Sequence, residues 1–204
     1  DLDDDGDQDV VVASGGPYTN SCNCFMGIGE VRVFRNDGAG NLSVAQTMMM
    51  GGGPFAVALG RFDADQLPDL AVGLFSAGEI KVHLNAGNAQ FSATPSATIP
   101  HDNDVWDVVA ADFNGDGLDD LASTRFQIVT FVDDTIAVAL GNGNGTFSTA
   151  DYYPAAGAIG LLAADLDADG DLDLVVGAGD GTLSTFEDSG AAAAPGSVQL
   201  AGAA

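Results

Sequence analysis

The first ten residues, DLDDDGDQDV, include six aspartates. Two carboxylates about 4 Å apart repel each other by roughly 4 kcal/mol at an effective dielectric near 20, so carboxylates that converge need a cation among them. Oxygen-bearing side chains stand at loop positions 1, 3, 5 and 9, glycine at position 6 permits a positive φ, and the position 7 carbonyl adds a ligand. The predicted ligands are Asp1, Asp3, Asp5, Asp7 and Asp9. Hard oxygen ligands in this number suit Ca²⁺.

The same pattern returns twice, as DFNGDGLDD and DLDADGDLD. The corresponding ligands are Asp112, Asn114, Asp116, Leu118 (by its carbonyl) and Asp120, and then Asp165, Asp167, Asp169, Asp171 and Asp173. None of these loops contains histidine or cysteine, which disfavours zinc and copper. Position 12 is Val12, Ser123 or Val176, so the helix-loop-helix calcium motif, which needs a carboxylate there, is excluded. We therefore predict three calcium sites; the alternative is a charged surface turn.

A fourth copy, RFDADQLPD, departs from the pattern. Arg61 replaces the first ligand, and Gln66 stands where the other copies have glycine. A guanidinium at that position is expected to neutralise Asp63 and Asp65. We predict that this loop binds no metal.

The acidic loops belong to a longer repeat with a period of about 50 to 60 residues. An apolar run such as VVVAS follows each loop, then an alternating segment such as EVRVFRN, and a Gly/Asn turn follows in three copies. Short alternating segments separated by turns indicate four strands per unit. We predict one all-β domain, a β-propeller of about four four-stranded blades with calcium-binding loops, the units spanning about 1–54, 55–105, 106–158 and 159–204. A β-solenoid is the less favoured alternative.

The segments DFNGDGLDDLA and DLDADGDLDLVVG resemble the FG-GAP/VCBS repeats of integrin-α-like β-propellers. The resemblance covers essentially the whole chain. It implies blades arranged around an axis, calcium in the loop that joins the first two strands of a blade, and an extracellular protein. Such propellers commonly have seven blades, so a four-bladed ring, a piece of a larger ring and a part completed by another chain all stay open.

The composition limits the partners. The net charge is −25 with only five basic residues, which disfavours nucleic acid and anionic membrane surfaces. No apolar run approaches the roughly 20 residues of a membrane helix, so we expect no membrane insertion. A chain that begins at Asp1 without a signal peptide is expected to be a mature product or an excised fragment. Cys22 and Cys24 fit two free thiols, a strained local disulfide or a link to another chain.

The loops opposite the calcium loops carry the irregular insertions. Aromatic and basic side chains on long loops over a rigid scaffold are typical of a recognition surface, and the predicted ligand-binding residues are Tyr18, Phe25, Arg125 and Phe126. Trp106 is expected to pack between blades and His83 to be an ordinary strand residue. His101 is expected in a solvated loop, because no nucleophile can be tied to it.

These features predict an extracellular or cell-surface, non-enzymatic module that recognises a protein or glycan on a cell surface or in the matrix. Alternatives are a structural subunit of a surface layer or filament and a lectin-like carbohydrate module. Self-assembly through the termini is a further option. SVQLAGAA, residues Ser197 to Ala204, is expected to pair beside the strand from Val10, within the chain or in a neighbour; the alternative is the outer strand of the fourth blade.

Overall fold

The computed structural model describes the backbone of residues 1–16, 18–19, 24–25, 28–101, 104–126, 134–188 and 200–202, and the side chains of these ranges except 18–19, 24–25, 187–188 and 200–202. All regular structure in this part of the chain is β-structure. Consequently, the described residues include no helix that is long and apolar enough to cross a membrane.

The strands follow one another as short segments separated by turns. They are β1 (Val10–Ser14), β2 (Tyr18–Thr19), β3 (Cys24–Phe25), β4 (Gly29–Asn36), β5 (Leu42–Met50), β6 (Pro54–Gly60), β7 (Asp69–Leu74), β8 (Glu79–His83), β9 (Ala97–Pro100), β10 (Asp104–Ala111), β11 (Asp120–Phe126), β12 (Thr135–Ala139), β13 (Asp151–Pro154), β14 (Ala158–Ala164), β15 (Asp173–Ala178), β16 (Leu183–Asp188) and β17 (Leu200–Gly202).

These strands build four antiparallel sheets in sequence order within the described residues. The sheets are β1-β4-β5, β6-β7-β8-β9, β10-β11-β12-β13 and β14-β15-β16-β17; β2 and β3 form a separate pair. We call the four large sheets the first to fourth sheets. Each is a meander in which neighbours along the chain pair, apart from the β2–β3 hairpin inserted in the first. The predicted all-β fold class is confirmed, and the arrangement is that of a four-bladed β-propeller.

Alternation of side chains explains how the sheets stack. In β4, Val31 and Val33 are fully buried, whereas Arg32 between them is exposed, since successive side chains point to opposite faces. Strand β7 is buried at every position because a neighbouring sheet covers each of its faces. Its Leu70 and Val72 pack towards the first sheet, and Ala71 packs towards the third.

Three apolar cores join the sheets in succession. The first joins the first and second sheets, the next the second and third, and the last the third and fourth. An aromatic cluster adds to the middle interface: the Trp106 ring lies 5.6 Å from Phe55, 5.1 Å from Phe75 and 5.8 Å from Phe126. The predicted place of Trp106 between blades is confirmed.

The end of the chain corrects one prediction. Leu200–Gly202 pairs with β16, in the register Phe186 with Gly202, and is the fourth strand of the fourth sheet. The expected pairing of this segment beside the strand from Val10 is therefore wrong for these residues; the rest of the Ser197 to Ala204 segment lies outside the described residues. Pairing with the preceding strand closes a short loop and fills the nearest open edge of the sheet, which costs less chain entropy than a distant partner.

Close packing between the second and third sheets makes Gly73 sensitive to substitution. A Cβ on Gly73 would lie 2.7 Å from Val105 Cγ1 and 3.1 Å from Val108 Cγ2. We expect Gly73→Ala to lower the free energy of unfolding by about 1–3 kcal/mol through overpacking, measured by urea denaturation. Gly51→Ala is the matched control, since a Cβ there meets nothing within 4 Å. Equal effects of the two variants would contradict the packing explanation.

Candidate metal centres

The three acidic loops wind in the same way around their first aspartate. The backbone NH of the position 6 glycine donates a hydrogen bond to the position 1 carboxylate in each loop. The donor–acceptor distances are 2.9 Å for Gly6 and Asp1, 2.8 Å for Gly117 and Asp112, and 3.2 Å for Gly170 and Asp165. These glycines have φ of 93°, 87° and 100°, a region that glycine enters without strain. The turn brings the alternate side chains of each loop to one side.

Carboxylate oxygens converge in the first and last of these loops. In the first loop, one oxygen from each of Asp1, Asp3 and Asp9 lies within 4.8 Å of the other two. In the last loop, the same holds for a second cluster, formed by Asp165, Asp167 and Asp169. Asp5 and Asp173, also predicted as ligands, are not members of these clusters. Both clusters present only hard oxygen donors, a set suited to Ca²⁺.

A buried oxygen in the first loop supports a cation there. The Asp3 side chain is only 4% exposed, and its Oδ1 is buried without a hydrogen-bond partner. A buried carboxylate oxygen without a partner is costly. Asp3 Oδ2 lies 2.8 Å from Arg35 Nε, and Arg35 also donates to the carbonyl of Asn88 at 3.0 Å. Sequence reasoning missed this ion pair, because Arg35 is distant in the chain and reaches the loop through sheet pairing.

The third-sheet loop brings its donors together by hydrogen bonds. The NH of Asp116 donates to Asn114 Oδ1 at 2.9 Å and to Asp112 Oδ1 at 3.1 Å, and Asn114 Nδ2 donates to Asp116 Oδ2 at 3.1 Å. Two carboxylates and one amide oxygen therefore lie next to one another. This donor set also suits a hard cation.

Position 5 aspartates hold the second half of each loop. Their Oδ1 accepts from the backbone NH of position 7, at 2.9 Å from Asp7 to Asp5, 2.9 Å from Leu118 to Asp116 and 3.0 Å from Asp171 to Asp169. The side chains at position 7 contact the Gly/Asn turns: a Cβ on Gly38 would lie 2.6 Å from Asp7 Oδ2, and one on Gly143 would lie 3.1 Å from Leu118 Cδ2. The backbone carbonyl is thus the group of position 7 proposed as a ligand.

The position 9 aspartates have a second role that the sequence analysis missed. One carboxylate oxygen accepts from the position 2 backbone NH in all four copies, at 2.7 Å from Leu2 to Asp9, 2.9 Å from Phe62 to Asp69, 3.0 Å from Phe113 to Asp120 and 2.8 Å from Leu166 to Asp173. In three copies, the other oxygen accepts from the end of the third strand, with Asn36, Asn85 and Gly141 as donors. The carboxylate therefore ties the loop to the sheet whether or not the other ligands are present.

Burial shapes the electrostatics of this position. Burial raises the pKa of Asp69 to about 6 and that of Asp120 to about 7, although two backbone NH groups on each carboxylate act in the opposite direction. Neighbouring carboxylates raise both values further: Asp63 and Asp65 beside Asp69, and Asp116 and Asp112 beside Asp120. A cation in the third-sheet loop would oppose this shift at Asp120.

The Arg61 loop, which lies in the second sheet, is wound like the other three acidic loops but lacks the predicted ion pairing. Asp65 and Leu67 donate their NH groups to Asp63 and Asp65 at 3.0 and 2.9 Å, and Gln66 takes a φ of 71° at the glycine position. In the described part of the chain, the Arg61 guanidinium makes no ion pair with either carboxylate, so its predicted neutralising role is wrong. One oxygen of each aspartate accepts a hydrogen bond from a backbone NH group instead. No carboxylate cluster of the kind found in the first loop occurs in this copy as described.

The loops fall into two groups on opposite edges of the sheets. The acidic loops contact Gly/Asn turns of the next sheet, as in the 3.1 Å hydrogen bond from the NH of Ala89 to the carbonyl of Leu2. Loops between the second and third strands contact the loops that join the sheets, as in the 2.8 Å bond from the NH of Ser76 to the carbonyl of Gly52. We call the edge that carries this second group the insertion edge.

Two of the four predicted ligand-binding residues can be placed at the insertion edge. Arg125 donates from Nε to the carbonyl of His101 at 2.8 Å, and its guanidinium lies 5.1 Å from the centre of the Tyr152 ring. Phe126 is only 9% exposed and packs against Trp106, so its predicted place on an exposed surface is wrong. The side chains of Tyr18 and Phe25 lie outside the described residues, as do Cys22 and the side chain of Cys24.

The histidines are both buried. His101 is 2% exposed, and its Nε2 lies 2.8 Å from Ser123 Oγ. The prediction that His101 lies in a solvated loop is therefore wrong, because the chain returns to the edge of the sheet at this residue and buries its ring. Asp102 lies outside the described residues. His83 is an interior strand residue whose Nδ1 donates to the carbonyl of Ser92 at 2.8 Å. Burial lowers the pKa of His83 and keeps the ring neutral near pH 7.

Comparison with known families adds one match. A family model for the FG-GAP-like repeat matches residues 1–72, 61–123 and 127–176, which together include all four acidic loops. A search of curated proteins found no match to the chain.

Proposed function

The chain belongs to the FG-GAP-like repeat family, and from this premise we propose that it is a calcium-stabilised β-propeller module that acts outside the cell by binding a protein or glycan. The observation that carries the proposal is the convergence of carboxylate oxygens in the first and last loops, together with the same winding of the third-sheet loop. A single acidic turn is common on protein surfaces without a metal, whereas the same winding at three equivalent places in a repeat favours a shared metal-binding role.

The residues proposed to hold Ca²⁺ come from this chain alone. They are Asp1, Asp3, Asp5, Asp9 and the Asp7 carbonyl; Asp112, Asn114, Asp116, Asp120 and the Leu118 carbonyl; and Asp165, Asp167, Asp169, Asp173 and the Asp171 carbonyl. When bound, Ca²⁺ supplies positive charge that offsets the repulsion among these carboxylates. The Arg61 loop is proposed to work without metal, since Arg61 replaces the first ligand and no carboxylate cluster is found in this loop among the described residues.

Exposure and charge support the extracellular part of the proposal. The Asp165, Asp167 and Asp169 carboxylates are exposed, and a site open to solvent is expected to bind calcium weakly. Extracellular modules work with dissociation constants of about 10⁻⁴ to 10⁻³ M, because calcium is abundant there. The chain's net charge of −25 adds to the attraction for the ion.

The insertion edge is the proposed binding surface. The acidic loops are engaged in holding the sheets. The opposite edge holds the strand ends between which the sequence insertions run, Ser14 and Gly29 in the first sheet and Phe126 and Thr135 in the third. Arg125 is held in place by His101 and Tyr152, which limits the entropy that a partner must remove on binding. No catalytic role is proposed for this surface, and the buried His101–Ser123 pair is assigned to packing.

A binding experiment with surface variants tests this proposal. The labelled protein is applied in calcium to cell monolayers and to a glycan array. We expect the combined variant Tyr18→Ala, Phe25→Ala and Arg125→Ala to lose at least about tenfold in affinity, because aromatic and arginine side chains dominate binding interfaces. Its calcium-dependent thermal melt should stay unchanged. The matched control is Asn144→Ala, in a Gly/Asn turn at the other edge of the sheets, which should keep full affinity. Loss of affinity in Asn144→Ala but not in the combined variant would contradict the proposed surface.

One observation favours a lectin-like module as the second candidate. A groove of about 390 Å³ runs between β9 and β13, lined by the hydroxyl residues Ser96, Thr98, Thr146 and Ser148 and by Tyr152. Tyr152 is 45% exposed, and an exposed ring beside hydroxyl groups is suited to a sugar. In the same array experiment, binding that depends on Tyr152 and not on Tyr18 and Phe25 would assign the ligand to this groove.

A further inference from the structure

Arg35 places a positive charge directly against a proposed calcium ligand. Its Nε lies 2.8 Å from Asp3 Oδ2, and the Asp3 side chain is 4% exposed. The contact is a close approach of opposite charges and not an aligned hydrogen bond, because Arg35 Nε is buried without a hydrogen-bond partner. Asp3 Oδ1 is also buried without a partner. The guanidinium therefore offsets the charge of Asp3 but leaves the carboxylate able to accept a further cation.

The same guanidinium also contacts the neighbouring sheet. Arg35 Nη2 donates to the carbonyl of Asn88 at 3.0 Å, in the Gly/Asn turn of the second sheet, residues 85–90. This turn binds the first loop directly as well, since the NH of Ala89 and Nδ2 of Asn85 donate to the carbonyl of Leu2 at 3.1 and 3.0 Å. Arg35 thus bridges the first acidic loop and the turn on which that loop rests.

The repeat shows that packing alone does not require a basic residue at this place. By strand register, the equivalent residues of the second and third sheets are Leu84 and Leu140. Leu84 contacts the turn of the third sheet, because a Cβ on Gly145 would lie 3.0 Å from Leu84 Cδ2. Leu140 belongs to the core between the third and fourth sheets. Leucine is therefore sufficient to support the next sheet, and the feature that sets Arg35 apart is its charge beside a segment with six aspartates in ten residues.

We propose that Arg35 is an internal counter-ion of the first loop, which lowers the affinity of this site for Ca²⁺ and holds the loop on the second sheet when calcium is absent. The inference rests on the proposed function, because it takes the first loop to be a calcium site. Both cations use the Asp3 carboxylate, and like charges a few ångströms apart repel strongly enough to change a binding constant tenfold or more.

The counter-ion gives the first loop its own response to calcium. When the ion leaves, the guanidinium still offsets Asp3 and still bonds to Asn88. We therefore expect the contact between the first and second sheets to persist at calcium concentrations too low to fill the first site.

The calcium affinity of the first loop by itself tests the first half of the proposal. The third-sheet and last loops are disabled together by Asp112→Ala, Asp116→Ala, Asp165→Asn and Asp167→Asn, and Ca²⁺ is titrated into this parent protein by isothermal titration calorimetry. Arg35→Leu in the same parent should bind Ca²⁺ at least about tenfold more tightly. Leucine is chosen because the second and third sheets have it at the equivalent place.

Arg32→Leu is the matched control. Arg32 lies on the same strand, but its side chain is 50% exposed and pairs with Glu30, away from the first loop. Both variants remove one positive charge from the chain. Because exposed charges at a distance are screened by salt, Arg32→Leu should change the calcium affinity by less than about threefold.

Thermal melts give a second readout in the chain with all its loops intact, so the test does not depend on the folding of the parent protein. In chelator, Arg35→Leu should melt about 2–4 °C or more below the wild type, because the buried Asp3 carboxylate loses its cation. In saturating calcium this difference should shrink, since Ca²⁺ then supplies positive charge to the loop. Arg32→Leu should melt like the wild type in both conditions.

Three results would overturn the proposal. A lower calcium affinity in Arg35→Leu would show that Arg35 positions Asp3 for the ion instead of competing with it. Equal changes in Arg35→Leu and Arg32→Leu would reduce the effect to net charge, and an unchanged melt of Arg35→Leu in chelator would show that the guanidinium does not hold the loop. A wild-type chain that binds no calcium would overturn the proposed function and this inference with it, whereas calcium binding that does not respond to Arg35→Leu would overturn this inference alone.

Discussion

Removal of calcium is expected to lower the melting temperature of the protein by about 15 °C or more. If free Ca²⁺ stands at about 100 times the dissociation constant, each independent site adds roughly 2.7 kcal/mol of stability. For a chain of this size, 1 kcal/mol corresponds to about 2–4 °C in melting temperature. Three sites therefore give a large shift, since chelation also leaves the carboxylates of each loop to repel one another. Differential scanning calorimetry in calcium and in chelator measures it.

A matched variant separates this effect from a general response to the chelator. Asp165→Asn with Asp167→Asn removes two carboxylates of the last loop, and the difference between calcium and chelator should shrink by about a third. Asp180→Asn changes an exposed aspartate outside the loops and should leave the difference unchanged. An equal melting temperature in calcium and in chelator would contradict the assignment of the loops.

Replacing Asp69 with alanine is expected to destabilise the protein by about 2–5 kcal/mol, the same in calcium and in chelator. Its carboxylate accepts from the buried NH groups of Phe62 and Asn85 at 2.9 and 2.8 Å. Each buried donor left without a partner costs about 1–3 kcal/mol. Asp69 lies in the loop proposed to be metal-free, so its structural role can be measured apart from metal binding. Urea denaturation at neutral pH gives the free energy.

Asp65→Ala in the same loop is the control for Asp69→Ala. Asp65 is exposed and accepts a hydrogen bond from the NH of Leu67. That NH can bond to water when the carboxylate is removed, so the loss in free energy of unfolding should stay below about 1 kcal/mol. A loss for Asp69→Ala that appears only in calcium would show that this loop binds metal after all. A loss no larger than that of Asp65→Ala would show that the carboxylate does not hold the loop.

The repeated pattern accounts for what the sequence could predict. Period-two alternation around Val31 and Val33 indicates strands, and acidic loops that return at similar spacing indicate equivalent units, so the sheets and the winding of their loops followed from local signals. The Trp106 contacts followed from its alignment with Phe55 in the preceding unit. Repetition turns a weak local signal into a strong one, because each unit tests the others.

The predictions that failed depend on direction or on distant contacts. Spacing alone does not tell whether a carboxylate such as Asp69 faces a metal or two backbone NH groups, and it does not show that, among the described residues, Arg61 forms no ion pair with Asp63 or Asp65. The Arg35–Asp3 ion pair forms only when β4 pairs beside the first loop. Burial of Phe126 likewise depends on the neighbouring sheet. The copy that departs from the pattern contained a signal for this second role. The Arg61 loop keeps Asp69 at position 9 although it has lost the first ligand, which indicates that the position 9 aspartate does more than bind metal.

The number of calcium ions bound per chain tests the central claim most directly. Equilibrium dialysis with metal analysis by mass spectrometry should give three Ca²⁺ per chain for the wild type, and two for the variant Asp112→Ala with Asp116→Ala, which removes both carboxylates from the centre of the third-sheet loop. A wild-type value of four would show that the Arg61 loop also binds, and a value of zero, or one unchanged in the double variant, would contradict the assignment of these loops as calcium sites.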